Sequence, residues 1–128
     1  MRAAAHNILF VDDDDDSCEL MTMMLSSDGA DYQTTTAASP SEALNLIAQK
    51  AFDLLVVDYR LPGMTGVELC RRVRETDKQT PILFFTGMAQ DSDRKVAMAA
   101  GATSYLVKPN DLDRFTETVK QLINDNNG

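Results

Sequence analysis

Three carboxylates close apolar runs in this chain: Asp12 and Asp13 follow Ile8-Leu9-Phe10-Val11, and Asp58 follows Leu54-Leu55-Val56-Val57. Two further runs end in other reactive groups: Ile82–Phe85 closes on Thr86-Gly87, and Thr103–Val107 closes on Lys108-Pro109. Brought to one place, such a set suits phosphoryl transfer. A carboxylate can act as the nucleophile. A lysine and a divalent ion neutralise charge on the transferred group, and a hydroxyl donates to its oxygens. Like charges roughly 5 Å apart repel by about 3 kcal/mol per pair at an effective dielectric near 20. Converging carboxylates therefore require a cation, and hard oxygen ligands favour Mg²⁺.

The elements that must deliver these groups are legible in the hydrophobic pattern. An apolar run of four closed by a polar residue reads as a strand buried on both faces. Strands are expected at 7–12, 31–36, 53–58, 81–86 and 103–107, with helices near 16–27, 40–50, 66–75, 91–100 and 111–123. This alternation predicts βαβ units and an α/β fold: a parallel sheet covered by helices on both faces. Strands one, three and four are continuously apolar and belong at the centre. Tyr32-Gln33-Thr34-Thr35-Thr36 is polar and β-branched, and Thr103–Val107 is mixed, so both suit edges. The pattern fits a flavodoxin-like, doubly wound five-stranded sheet of order 2-1-3-4-5 with five helices. Such sheets place ligands outside their carboxyl ends.

Helix starts are chemically marked. Ser39-Pro40-Ser41-Glu42 offers an N-cap, a proline at the first helical position and a capping-box glutamate. Thr65-Gly66-Val67-Glu68 repeats the box without the proline. Asn110 is expected to cap the last helix, whose apolar stripe is Leu112, Phe115, Val119, Leu122 and Ile123. Helix 91–100 offers only Val96, Ala97 and Ala100 to a core and is expected to pack least firmly.

A length of 128 residues fits one domain, with a core over 7–123 and a polar tail, 124–128, expected to fray. The net charge of -8, without a basic stretch, argues against direct nucleic-acid binding. Cys18 and Cys70 fall in helical patterns among apolar neighbours and read as free, partly buried thiols of a reducing compartment. No signal peptide or apolar stretch of membrane-spanning length appears, so the expected location is cytoplasmic, without a membrane partner.

Taken jointly, the acidic pair Asp12-Asp13, Asp58 followed by Leu61-Pro62-Gly63-Met64-Thr65-Gly66, Thr86-Gly87 and Lys108-Pro109 resemble the receiver domain of two-component response regulators. The resemblance spans about Asn7 to Ile123. It implies that Asp58 is the phosphoacceptor, taking its phosphoryl group from a phosphohistidine on a sensor histidine kinase or histidine phosphotransfer protein. It implies direct Mg²⁺ ligation by the carboxylates of Asp13 and Asp58 and the backbone carbonyl of Arg60, with Asp12 reaching the metal through water. Lys108 matches the lysine that pairs with the acceptor and then the phosphoryl group. Thr86 and Tyr105 match the hydroxyl and aromatic switch that move together. The family is not enzymatic beyond its own phosphorylation and slow dephosphorylation. Its output surface would be helix 91–100, strand 103–107 and helix 111–123, binding a downstream protein target or output domain, with homodimerisation on phosphorylation left open. Stand-alone receiver and receiver portion of a longer protein are both open.

Three features depart from common patterns. Asn110 follows Lys-Pro where many relatives have Phe, and Asp14-Asp15-Asp16 adds charge that reads as a solvated helix start. Arg60 and Met88 lie two residues beyond Asp58 and Thr86, at positions that in the family tune acyl-phosphate hydrolysis. A long Arg and a Met there predict a long-lived phosphoryl state. Against the receiver stand two alternatives: a small phosphatase of the haloacid dehalogenase type, using Asp12 with Asp14, and a receiver-shaped interaction module that is never phosphorylated. A calcium loop fits poorly, because Ser17 and Met23 fall where glycine and glutamate are wanted. His6 is expected to be exposed rather than catalytic.

Overall fold

The computed structural model describes residues 5–27 and 31–127. In chain order the elements are β1 (His6–Val11), α1 (Asp15–Ser26), β2 (Tyr32–Ala37), α2 (Pro40–Gln49), β3 (Leu54–Val57), α3 (Gly66–Arg74), β4 (Ile82–Thr86), α4 (Asp91–Ala99) and β5 (Ser104–Val107). A short 3-10 turn, Leu112–Arg114, precedes α5 (Phe115–Asn127). All strand pairs are parallel, in the order β2-β1-β3-β4-β5. The three apolar runs occupy the centre, and the polar strand β2 and mixed strand β5 form the edges, as their compositions require.

Alternation along each strand sends successive side chains to opposite faces. Leu9, Val11, Leu55, Val57 and Phe84 meet Ala43 of α2, Val67, Leu69, Cys70 and Val73 of α3, and Ala97 of α4. Ile8, Phe10, Leu54, Val56, Leu83, Phe85 and Leu106 meet Cys18, Met21 and Leu25 of α1 and Phe115, Val119 and Ile123 of α5. Phe115 is fully buried and its ring stacks on Phe85 at 4.8 Å. Truncating it to alanine would cost about 3–5 kcal/mol.

Two expected helix caps form. Ser39 Oγ accepts the Glu42 N–H at 3.2 Å, and Thr65 Oγ1 accepts the Glu68 N–H at 3.1 Å. Helix α4 is thinly packed: Ala97 is its one buried residue, while Val96 and Met98 are 41% and 39% exposed. Both cysteines are free and buried.

One expectation fails. Asn110 does not cap the last helix. The cis Lys108–Pro109 bond lies in a turn where the Asp111 carboxylate accepts the Val107 N–H and the Asp111 N–H returns to the Val107 carbonyl. With Asp111 committed to that turn, the chain passes through the 3-10 segment, and α5 begins only at Phe115. Helix α5 runs through Asn127, so it includes 124–127 of the polar tail, and Gly128 lies outside the described residues. Among the described residues no helix is long and apolar enough to cross a membrane.

Candidate functional site at the C-terminal edge of the sheet

Strand ends deliver the five expected groups to one edge. Asp12 and Asp13 leave β1, Asp58 leaves β3, Thr86 ends β4, and Lys108 follows β5. Asp12, Asp13, Asp58 and Thr86 line an open cleft of ≈ 660 Å³ with Asp14, Arg60, Leu61, Pro62, Gly87 and Met88.

The backbone fixes Asp58 closely. Its N–H donates to the Val11 carbonyl at 3.0 Å, continuing the β1–β3 ladder one residue past the strand. Behind it, Gly66 opens α3, and its N–H donates to the Tyr59 carbonyl at 2.8 Å. A Cβ on Gly66 would overlap the Asp58 carbonyl oxygen and come within 2.9 Å of Val57 Cγ1, so only glycine lets the helix start close against Asp58. Gly63, at φ 81°, makes the intervening turn in a conformation other residues resist.

The carboxylates differ in how they are held. Asp12 is 4% exposed, and both its oxygens are engaged: Oδ1 accepts the Asp14 N–H at 3.0 Å, and Oδ2 accepts from Lys108 Nζ at 3.0 Å. Asp58 Oδ1 accepts from the Thr86 hydroxyl at 2.8 Å and from the Arg60 N–H at 3.3 Å, while Oδ2 lies 3.4 Å from Lys108 Nζ. Asp13 is exposed on the cleft wall. Asp14 caps α1, its carboxylate accepting the Asp16 N–H at 3.0 Å. The second acid of the phosphatase alternative is thus a helix cap.

Donor chemistry fits a hard cation. Among the described residues, no three carboxylate, imidazole or thiol groups are gathered closely enough to hold an ion by themselves. Asp12 is almost wholly buried and held by Lys108 at 3.0 Å, whereas Asp13 and Asp58 line the open cleft. Two carboxylates completed by water suit Mg²⁺, which sheds its hydration reluctantly.

Around Asp58, Thr86 is 1% exposed, and Tyr105, 3% exposed, lies with its ring stacked on Phe84 at 5.8 Å. The Tyr105 hydroxyl donates to the Met88 carbonyl at 2.7 Å, and the Met88 N–H donates to Thr86 Oγ1 at 3.3 Å. Burial first, then the Asp93, Tyr59 and Asp58 charges, push the Tyr105 phenol up to about 12, so it remains a donor at neutral pH. Arg60 Nε lies 3.2 Å from Met88 Sδ across the cleft mouth. Beside the site, burial and then Asp12 raise the Cys18 thiol to about 11, which keeps it protonated and unreactive. His6 stands at the far end of β1, half-exposed, with Nδ1 3.8 Å from Asp53 Oδ2.

Sequence reasoning missed the Arg60–Met88 contact and a second one, in which Ser17 Oγ accepts from Lys108 Nζ at 2.7 Å. A serine in the first turn of a helix most often serves its own backbone, and nothing in the spacing ties it to a lysine 91 residues away.

A doubly wound α/β sheet with acids, a hydroxyl and an ammonium gathered over its carboxyl edge defines a narrow class of proteins. This chain belongs to the response regulator receiver domain family, whose model matches residues 8–120. It is 39% identical over 103 residues to the transcriptional regulatory protein AfsQ1 of Streptomyces coelicolor, covering 80% of this chain and 44% of AfsQ1. An uncharacterised 14.6 kDa protein of Leptolyngbya boryana is 39% identical over 120 residues, covering 92% of this chain and 90% of that protein. A putative response regulator structure from Chloroflexus aurantiacus superposes with a TM-score of 0.86 at 37% identity, covering 94% of this chain and 98% of that one. A CheY-like receiver from Methanospirillum hungatei gives 0.87 at 27%, covering 97% and 98%. The chain spans about half or less of several regulators it matches, 52% of YkoG from Bacillus subtilis and 26% of ZraR from Salmonella typhimurium among them.

Proposed function

We propose that this receiver accepts a phosphoryl group on Asp58 from the phosphohistidine of a sensor histidine kinase or histidine phosphotransfer protein. A carboxylate oxygen of Asp58 forms the new P–O bond as the P–N bond breaks, and the electron pair returns to the imidazole, which takes a proton. The observation that carries this reading is the convergence on Asp58 of the Thr86 hydroxyl at 2.8 Å and the Lys108 ammonium at 3.4 Å, in a cleft that Asp13 also lines. Asp13, Asp58 and the Arg60 carbonyl would hold Mg²⁺, with Asp12 reaching it through water. When bound, the ion neutralises charge on the phosphoryl oxygens. Lys108 pairs with the same oxygens from the other side, and Thr86 donates to one of them.

Thr86 and Tyr105 form the switch in this reading. Met88 touches both, its N–H at the Thr86 hydroxyl and its carbonyl at the Tyr105 hydroxyl, so a pull on Thr86 is felt at β5. The surface of α4, β5 and α5 then presents itself to a downstream protein target, an output domain or a second copy of the chain. The weakly anchored α4 supports that assignment, because little packing opposes its movement.

The test is incubation with acetyl phosphate and Mg²⁺, followed by intact-mass measurement. One phosphoryl group on the wild-type chain and none on Asp58→Ala is the expected result. A wild-type chain that stays unlabelled, or that instead turns over a phosphomonoester steadily, overturns the reading. A pull-down with the same two proteins, with and without phosphodonor, identifies the partner.

A further inference from the structure

Lys108 reaches the acceptor from the far side of the sheet. β4 and β3 separate β5 from β1, a distance of roughly 14 Å at the usual strand spacing. The side chain passes Phe85, with Nζ 5.4 Å from the ring centroid. At its end, Nζ meets three acceptors: Ser17 Oγ at 2.7 Å, Asp12 Oδ2 at 3.0 Å and Asp58 Oδ2 at 3.4 Å. An ammonium has three N–H donors, so the set saturates a side chain that is only 24% exposed. The shortest contact is to the one neutral partner.

The placement of Ser17 follows from α1. It is the third helical residue after the Asp14 cap, and helical side chains lean back toward the N-terminus. Its hydroxyl therefore faces the strand ends, while the next residue, Cys18, is buried against the sheet. The positive end of the helix dipole gives an ammonium nothing there. A hydroxyl lone pair supplies an anchor without adding another charge to an already acidic edge.

We propose that Ser17 is a positioning residue for Lys108. With Asp12 it holds two of the three N–H groups, leaving the third to pass from Asp58 to an incoming phosphoryl oxygen. The proposal rests on the phosphoacceptor reading of Asp58. Without the hydroxyl, the ammonium closes on Asp58, and the carboxylate that must attack is held in a tighter ion pair. Phosphorylation then slows although every residue of the reacting set is intact.

The experiment labels the full chain with acetyl phosphate and Mg²⁺ in five forms: wild type, Ser17→Ala, Ser17→Thr, Lys108→Ala, and Ser17→Ala with Lys108→Ala. Loss of one hydrogen bond to a charged group predicts a roughly tenfold lower maximal rate in Ser17→Ala. The half-saturating phosphodonor concentration should change little. Ser17→Thr restores the rate, and in the Lys108→Ala background the serine substitution has no further effect. A second readout needs no phosphorylation: the Lys108 ammonium ¹⁵N resonance is protected from water exchange in wild type and Ser17→Thr, and broadened in Ser17→Ala. A wild-type rate in Ser17→Ala, an equal loss with and without Lys108, or an unchanged ammonium signal overturns the proposal. A wild-type chain that takes no label sinks the phosphoacceptor reading instead, and the ammonium spectrum still decides whether Ser17 anchors Lys108.

Discussion

The amino end of the sheet carries Asp53, Arg74, Asp77, Thr80 and Thr103, and the carboxyl end carries Asp12, Asp13, Asp58, Thr86 and Lys108. The two sets have similar chemistry and different accounts of their hydrogen bonds. At the amino end the side chains bond mainly backbone groups. Arg74 donates to the carbonyls of Gly101 and Asp77, both at 2.9 Å, and Asp77 accepts from the Thr80 hydroxyl and the N–H groups of Gln79 and Thr80. Asp53 accepts the Asn7 N–H at 2.7 Å, and Thr103 accepts the Ile82 N–H at 3.0 Å. A groove of ≈ 430 Å³ runs beside Asp77 and Thr80, but both side chains already bond each other. At the carboxyl end the side chains bond mainly one another across 28 to 96 residues of sequence, and Asp13 and Asp58 still face the cleft. Side chains that bond backbone groups fasten the chain in place, whereas side chains that bond one another at the edge of an open cleft can exchange partners.

That contrast is broken most directly by paired substitutions. Asp58→Asn should abolish labelling by acetyl phosphate while the chain stays folded. Asp77→Asn should label normally and lose about 1 kcal/mol in chemical denaturation, as a half-buried network loses one acceptor oxygen and its charge. A labelling defect in Asp77→Asn would dissolve the distinction. Acid titration adds a sign. Burial alone pushes the Asp77 carboxyl up, but the Thr80 hydroxyl, the N–H groups of Thr80 and Gln79, and the Arg74 charge hold it below its ordinary value. Its stabilisation is therefore complete above about pH 4 and disappears as pH falls through the lowered value. Stability measured across that range should fall more steeply in wild type than in Asp77→Asn.

Gly66→Ala strikes both properties of the carboxyl end. The added methyl must displace the Asp58 backbone, at a cost of about 1–3 kcal/mol, and should slow labelling as well. Unchanged labelling and stability would show that the acceptor loop is looser than its hydrogen bonds imply.

A smaller effect is expected at the cleft mouth. Arg60 and Met88, in contact there, should screen the acyl phosphate from water, giving a wild-type lifetime of minutes or longer. Arg60→Ala and Met88→Ala should each shorten it several-fold. Decay of the wild-type label within seconds removes the screening role.

Tyr105→Phe is the mildest change. The ring keeps its stacking on Phe84, and losing the bond to the Met88 carbonyl costs about 1 kcal/mol. Because burial raises the phenol from 10.0 to about 12, the stabilisation it contributes is complete below pH 10 and is lost as pH climbs through about 12. Alkaline denaturation should show that loss in wild type and not in the phenylalanine variant.

Much of this was legible in the chain itself. Ile8–Val11, Leu54–Val57 and Ile82–Phe85 could only be central strands, since both their faces needed cover, and the threonines of Tyr32–Thr36 marked an edge. The placement of Asp12, Asp13, Asp58, Thr86 and Lys108 at one edge followed, because each stands where such a run stops. The start of α5 was not legible: Asn110 is a good cap by type, but the Val107–Asp111 turn claims that stretch first. The Ser17–Lys108 and Arg60–Met88 contacts were hidden for another reason. They depend on the reach and rotamer of long side chains between distant segments, which periodicity does not encode.

The Lys108 bridge has a consequence for biosynthesis. Its partners at Asp12 and Asp58 lie 96 and 50 residues earlier in the chain. Closing loops of that size comes late, after local structure has formed. A nascent polypeptide emerging amino end first holds its acids long before the cation that balances them leaves the ribosome. The pairing of that acidic edge with its lysine is therefore completed only once translation has passed β5.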